Sequence, residues 1–431
     1  MGERLRVLWN KLNAGYWMIP TLMAVGALGV SYLVVLLDMR FSTGKQESWW
    51  LGYTGGADGA RSVLSAIASS MINVAGVVFS ITVVILSLAT QQFGTYILRS
   101  FMRDRSNQTV LGVFLGTYLY CLMLLRSVRG RDDDMPSASQ FIPYIGVTLG
   151  LILAMISLGY LIFFIHHLAH SIKSSNLVAH SGRDFIQAIE RLFPQEVTRP
   201  SSHIHSAPPS EGTLVTSLNA GYLQAVDGDG LVRLGAEKDV LIVLRARPGS
   251  FIGAGDPLAL IASDPRQDFG DDMITRIRSA FILGDERTID QDVSFGIEAL
   301  VELVIRALSP GINNPVTALQ CIDRLRDGLS RLAARPVPAA YRQDSQGVPR
   351  FHAEPLRFVE LLDLSFGRLV YGARHHPDVL LSLLRALHIL RKRVTDVLDQ
   401  EAIMRHVRRI EHHFQAIDDE FFQERLKRAV L

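Results

Sequence analysis

The sequence predicts a mainly α-helical membrane protein with three parts: four N-terminal transmembrane helices, a small cytoplasmic β barrel or sandwich, and a C-terminal all-α domain. Three observations point there. Hydrophobic residues make up 48% of the 431 positions but concentrate before about residue 170, in four runs close to the roughly 20 residues a helix needs to cross the hydrocarbon core. Short β-prone runs divided by glycine and aspartate then fill 212–262. From 268 onward apolar residues recur at helical spacing between well-marked breaks.

The length accommodates a membrane domain and more than one soluble domain. A net charge of +2 gives no argument for nucleic acid as a partner. Cys121 and Cys321 lie far apart without a CxxC pair; both read as small buried residues, so no disulfide framework, metal site or cofactor is expected.

The membrane domain is read as 1–173, with spans at 17–37, 63–89, 109–125 and 141–165. Arg4, Arg6 and Lys11 precede the first span as they would in a signal peptide. That run is too long for an ordinary signal core and lacks an Ala-x-Ala site, so it is retained. Arg99, Arg103 and Arg105 follow the second span, and Lys173, Arg183 and Arg191 follow the fourth, while the first outer loop, around Arg40 and Lys45, is poorer in cations. The positive-inside rule therefore places both termini in the cytoplasm of a multi-pass protein. Trp49 and Trp50 fit an outer aromatic belt. Arg126, Arg129 and Arg131, beside Asp132, Asp133 and Asp134, run against the rule.

The second span carries two regular seams. Ser62, Ser69, Gly76, Val83 and Thr90 recur every seven residues, and Ala66, Asn73, Ser80, Ser87 and Gly94 form a second row four residues on. Ile67, Met71, Val74, Val78, Ile81, Ile85 and Leu88 make an apolar seam elsewhere on the helix. Hydroxyls and an amide left unsatisfied in hydrocarbon cost several kcal/mol each, so the polar seam must meet another surface. Two readings stand: close interhelical packing through small residues, or the wall of a hydrated pathway in a homo-oligomer. The candidate residues are Ser62, Ser69, Asn73, Gly76, Ser80, Ser87 and Thr90. The third span offers Gly112 and Gly116 for a close helix crossing. His166, His167 and His170 end the fourth span at the membrane boundary, where hydrated interfacial histidines are the ordinary case and no third metal ligand is evident.

A helical connector and Pro/Ser-rich linker occupy 174–211, with His203 and His205 incidental to it. In 212–262 the β-prone runs are 213–217, 221–226, 231–234, 240–246 and 258–261, with Gly228-Asp229-Gly230 and Gly253-Ala254-Gly255-Asp256-Pro257 as turns. Arg247-Pro248-Gly249 with Gly255-Asp256-Pro257-Leu258 resembles the closing half of a lipoyl-type barrel-sandwich hybrid. No lysine stands where such a domain is modified, so no lipoyl or biotin group is inferred.

The helical domain, 268–431, contains an amphipathic helix at 292–308 ended by Ser309-Pro310-Gly311. Asn313-Asn314-Pro315 then supplies an Asn N-cap and a proline at N1 for a helix through 332. Glu298, Glu302 and Arg306 share a face, with Ser309 near them and Arg287, Asp290 and Asp292 upstream. Ordinary ion pairing and capping explain such a group; the alternative is a ligand or subunit contact formed by Arg287, Glu298, Glu302, Arg306, Ser309, Asn313 and Asn314. An exposed loop is expected at 335–350, then helices at 355–371, 377–398 and 401–430. The last, rich in arginine and histidine among apolar residues, reads as a packed amphipathic helix before a membrane-surface anchor.

The whole chain, over nearly its full length, resembles a bacterial family of predicted membrane proteins known by a domain of unknown function, family 2254. The likeness rests on Val78-Phe79-Ser80-Ile81-Thr82, Leu86-Ser87-Leu88-Ala89 and Gln92-Phe93 in the second span and on Phe164-Ile165-His166-His167 in the fourth. It rests most specifically on Arg306-Ala307-Leu308-Ser309-Pro310-Gly311-Ile312-Asn313-Asn314-Pro315, continued by Thr317-Ala318. The family pattern usually has Asp where Asn314 stands here, so no carboxylate role carries over. The resemblance implies a location in the bacterial inner membrane and no activity.

No nucleophile elbow, Walker loop, HExxH or dinucleotide fingerprint occurs, so no catalytic residue is nominated and the chain leans away from an enzyme. The leading expectation is an oligomeric channel or transport-like protein with the second span along a central path and the cytoplasmic domains gating it. A membrane-anchored sensor or scaffold is the alternative. A lipid-modifying enzyme is a third reading that lacks a catalytic group.

Overall fold

Four helices long and apolar enough to cross a membrane open the chain: α1 (Met18–Phe41), α2 (Ala57–Phe93), α3 (Arg105–Ser127) and α4 (Tyr144–Ser171). The computed structural model describes residues 17–41, 53–93, 105–130, 141–171, 174–195, 207–262, 269–415 and 420–430. Several residues of the orientation argument (Arg4, Arg6, Lys11, Lys45, Trp49, Trp50, Arg99, Arg103, Arg131, Asp132, Asp133, Asp134 and Lys173) lie outside that range, as do Gly94, His203 and His205. The chain divides into two units, Met1–Lys173 and Ser174–Leu431.

In the first unit, α3 is the central helix and packs against the other three. Its inward side chains include Phe114, Tyr120 and Leu124. The close crossing expected at Gly112 and Gly116 is made with α1: a Cβ on Gly112 would meet Met23 Sδ at 2.5 Å, and one on Gly116 would lie 3.6 Å from Ala27. Thr117 and Ser157 share a buried hydroxyl contact of 3.1 Å between α3 and α4. Large apolar side chains such as Leu22, Tyr32, Val84, Met155 and Ile162 remain exposed on α1, α2 and α4, as helices bathed in lipid require.

The ends of α1 and α3 meet the beginnings of α2 and α4. Asp38 accepts hydrogen bonds from the backbone N–H groups of Ile145 (3.1 Å) and Gly146 (2.9 Å), and Arg61 donates to the Val128 carbonyl at 3.4 Å. Successive helices therefore run in opposite directions. The 37 residues of α2 span about 55 Å at 1.5 Å per residue, well beyond a hydrocarbon core of roughly 30 Å.

The second unit begins with α5 (Ser174–Leu192). Its β part holds β1 (Thr213–Thr216), β2 (Gly221–Val226), α6 (Gly228–Glu237), β3 (Leu241–Leu244), β4 (Phe251–Ile252), β5 (Pro257–Ala262), α7 (Gly270–Ser279) and β6 (Phe281–Gly284). The run at 231–234 is helical, contrary to the strand expected there. Asp227 caps the helix by accepting from Gly230 N at 2.9 Å, and Leu231, Leu234 and Gly235 are buried at helical spacing. What reads as a Gly-Asp-Gly turn is thus the first turn of a capped helix.

Helices α8 (Val293–Ala307) and α9 (Pro315–Ala333) come next. They are followed by β7 (Tyr341–Gln343) and β8 (Pro349–His352), a hairpin in the segment expected to be loop. Asp344 turns it, its carboxylate accepting from the Gln346 and Val348 N–H groups and from Arg350. One sheet has the order β1-β5-β3-β8-β7 and the other β4-β2-β6. Within the first, β8 runs parallel to β3 with Ile242 opposite Phe351, while the neighbouring pairs are antiparallel. Their shared core includes Val215, Leu223, Ile242, Ile261, Ile277 and Phe351.

Helices α10 (Phe358–Gly372), α11 (Pro377–Arg391), α12 (Val397–Gln415) and α13 (Glu420–Val430) complete the unit. The break before α12 falls earlier than expected because Asp396 acts as a local cap, accepting from Leu398 N at 2.7 Å.

Candidate functional site

The polar seam faces away from its own bundle. Ser62, Ser69, Asn73, Gly76, Ser80 and Ser87 are all exposed in the single chain, and Thr90 is half-buried with its hydroxyl on the Leu86 carbonyl at 2.7 Å. At about 100° per residue the six exposed positions fall in a strip roughly 60° wide. Leu64, Ile67, Ala75 and Val78 lie on the opposite side and are buried against neighbouring helices. The apolar seam divides: its first members pack inward, whereas Ile81 and Leu88 stay exposed on a flank of the polar strip. A Cβ on Gly76 would meet nothing within 4 Å, so this glycine leaves a shallow notch beside Asn73.

The residues proposed around the α8–α9 hairpin separate into two groups. At the start of α8, Arg287 donates from Nε (3.0 Å) and Nη2 (2.7 Å) to Asp292 Oδ2, from Nη1 to Glu298 (2.5 Å) and from Nη2 to Ser294 Oγ (3.0 Å). Asp292 is buried, and its other oxygen caps α8 by accepting from Ser294 N (3.1 Å) and Phe295 N (3.3 Å) and also from the Ser294 hydroxyl. Burial opposes the Arg287 charge, but Asp292 and Glu298 more than offset it, so the guanidinium is held above its ordinary range. Gly249, at φ +93, brings its backbone so near Asp292 that a Cβ there would clash with the carboxylate. Nearby, Gln291 bonds both backbone groups of Val226 in β2. These contacts join the sheet to the helices, and each guanidinium nitrogen already has a partner.

About 16 Å along α8 by its rise per residue lies the second group. Ser309 Oγ donates to the Arg306 carbonyl at 2.7 Å, and Asn314 N donates to the Ala307 carbonyl at 2.7 Å. Asn313 sits at φ +43, and Asn314 accepts from Thr317 N at 3.2 Å as the N-cap with Pro315 behind it. Glu302, Asn313 and Asn314 are exposed, and Arg306 and Ser309 are half-buried. The hairpin punctuation read from the sequence is present, while Glu302, Ser309, Asn313 and Asn314 are not brought to Arg287.

Sequence reasoning passed over Asp38. The signal was a lone carboxylate within an apolar run, and its two amide partners make it an N-terminal cap for α4. Tyr120 reinforces the same turn by donating to the Gly146 carbonyl at 3.0 Å. Among the described residues no set of three His, Cys, Asp or Glu side chains is arranged to hold a metal.

A family model described as a predicted membrane protein, DUF2254, matches residues 13–388. The chain belongs to that family. Relatives similar to it include an uncharacterized protein of Mycobacterium bovis and two of Mycobacterium tuberculosis. Each is 30% identical over 404 residues, covering 92% of this chain and 75% of the relative. No solved structure matches. Within this DUF2254 chain the segments that carry the resemblance fall on the outward and inward sides of α2, the end of α4 and the α8–α9 turn.

Proposed function

We propose that this protein assembles with copies of itself in the bacterial inner membrane, both termini cytoplasmic, so that α2 lines or bounds a central conducting pathway gated by the second unit. The direction of the polar strip carries the reading. A row of hydroxyls and one amide set opposite the bundle's own contact would otherwise stand in acyl chains, at several kcal/mol for each unsatisfied group. Small side chains along the same strip let copies approach closely. Asn73 and Ser80, beside the Gly76 notch, are the constriction candidates.

The test is ion flux from vesicles containing the purified protein. Flux that Asn73→Leu abolishes is the expected result. No flux from the unaltered protein, or a monomer in single-particle images, would overturn the reading in favour of a membrane-anchored sensor or scaffold. That second reading draws on the exposed Ile312, Asn313 and Val316 of the α8–α9 turn, which are placed to meet a protein partner.

A further inference from the structure

Helix α12 buries Ile403, Val407 and Ile410 and leaves Arg405, Arg408, Arg409 and His412 exposed. It lies beside α10 and parallel to it: His406 Nε2 is 2.7 Å from Asp363, and one turn on Arg409 donates to the Gly367 carbonyl at 3.1 Å. The adjoining surface adds Arg368 and Tyr371 of α10 and Arg374 in the turn just after it. The Arg374 guanidinium stands 4.2 Å over the Tyr371 ring, and its Nε donates to His375 Nε2 at 3.0 Å. Among the acids nearby, Asp363 pairs with Arg405 and His406 and Glu360 with Arg247, and Glu401 and Glu411 of α12 still leave the arginines of this face in the majority. No carboxylate pairs with Arg368, Arg374, Arg408 or Arg409 among the described residues. A surface helix normally interleaves charges of both signs, so this face holds a local cationic excess on a chain whose net charge is only +2.

We propose that the α10–α12 face binds anionic phospholipid headgroups of the bilayer in which the chain is embedded. The second unit begins three residues after α4 ends, so the tether presents headgroups at high effective concentration. Guanidinium forks match phosphate oxygens. Tyr371, 60% exposed, has the amphipathic ring suited to the headgroup layer. Ile403, Val407 and Ile410 of α12 are already buried in the unit's own core, so the cationic face docks on the surface and does not insert. The inference does not depend on conduction through α2.

The test is hydrogen exchange of the full-length protein in nanodiscs of phosphatidylcholine, alone or mixed with phosphatidylglycerol. Each cation near an anionic leaflet strengthens association about fivefold, so three together contribute on the order of a hundredfold. Amides of α10 and α12 should exchange more slowly in the anionic discs, and high salt should erase the difference, because screening acts over about 8 Å at physiological ionic strength. The triple variant Arg374→Gln/Arg408→Gln/Arg409→Gln should show no lipid dependence, whereas Arg233→Gln should retain it. Equal exchange of the unaltered protein in both discs would overturn the proposal without recourse to any variant. So would protection that appears only when nucleic acid or an acidic protein is added to neutral discs.

Discussion

At the scale of single residues, the second unit depends on a few buried polar groups. Asp292 both caps α8 and neutralises Arg287, whose side chain is 21% exposed. Asp292→Ala should lower stability by about 3 kcal/mol, the cost of leaving a partly buried guanidinium with Glu298 alone and removing a cap. Arg287→Met, which removes the other partner but leaves the cap, should cost less; denaturant titration of the two variants checks the order. A second prediction concerns His406, which is buried with Nδ1 lacking a hydrogen-bond partner. Burial pushes its pKa below the ordinary 6.5, partly offset by Asp363, and Arg405 and Arg409 add to the depression. A histidine depressed in the folded state binds its proton more readily when unfolded, so its contribution is complete above about pH 6.5 and is lost as pH falls toward the folded value. His352 and His388 are depressed by burial in the same direction. Thermal midpoints should therefore fall on acidification below pH 6.5, and His406→Gln should flatten part of that slope.

Helices and strands show which information was local. The membrane spans were legible because a backbone in hydrocarbon must satisfy itself, which demands unbroken apolar runs. The α8–α9 hairpin was legible because Asp292 and Asn314 cap N–H groups within three residues and Pro315 presets φ at the first helical position. Asp38 was not, since its partner lies 107 residues along the chain, and neither was β8, whose pairing with β3 is decided by packing of Phe351 in the shared core. The seven-residue period of α2 showed that a polar strip existed; only the packing of α3 fixed which way it points. Glycines in two helices give a test of this packing. In α9, a Cβ on Gly328 would clash with the buried ring of Phe185 in α5. Gly328→Ala should therefore destabilise by about 1–3 kcal/mol through overpacking. In α10, nothing lies within 4 Å of a Cβ on Gly367, and Gly367→Ala should stabilise by roughly 0.5–1 kcal/mol through lost unfolded-state freedom. The two changes are chemically identical, so opposite shifts in urea midpoint would measure helix contact and not helix propensity.

For the whole molecule, the outward strip turns a statement about one chain into one about assembly. Exposure alone does not separate a subunit contact from a lipid face, because Ile81 is exposed too, at 41%. Chemistry separates them: an isoleucine is at home among acyl chains, whereas Asn73 and the serines are not. The two native cysteines, Cys121 and Cys321, are both buried, and burial raises the Cys321 thiol to about 12, so neither competes in an oxidation experiment at neutral pH. Single cysteines introduced at Ser69 and Ser80 should form intermolecular disulfides in native membranes under mild oxidant. Ile81→Cys should not, because lipid keeps copies apart on that side, and Val78→Cys should not, because its position is buried against its own bundle. Cross-linking at Ile81 with none at Ser69 or Ser80 would place the contact on the apolar flank. The hydroxyls and amide would then need some other polar surface, and a pathway along α2 would lose its physical reason.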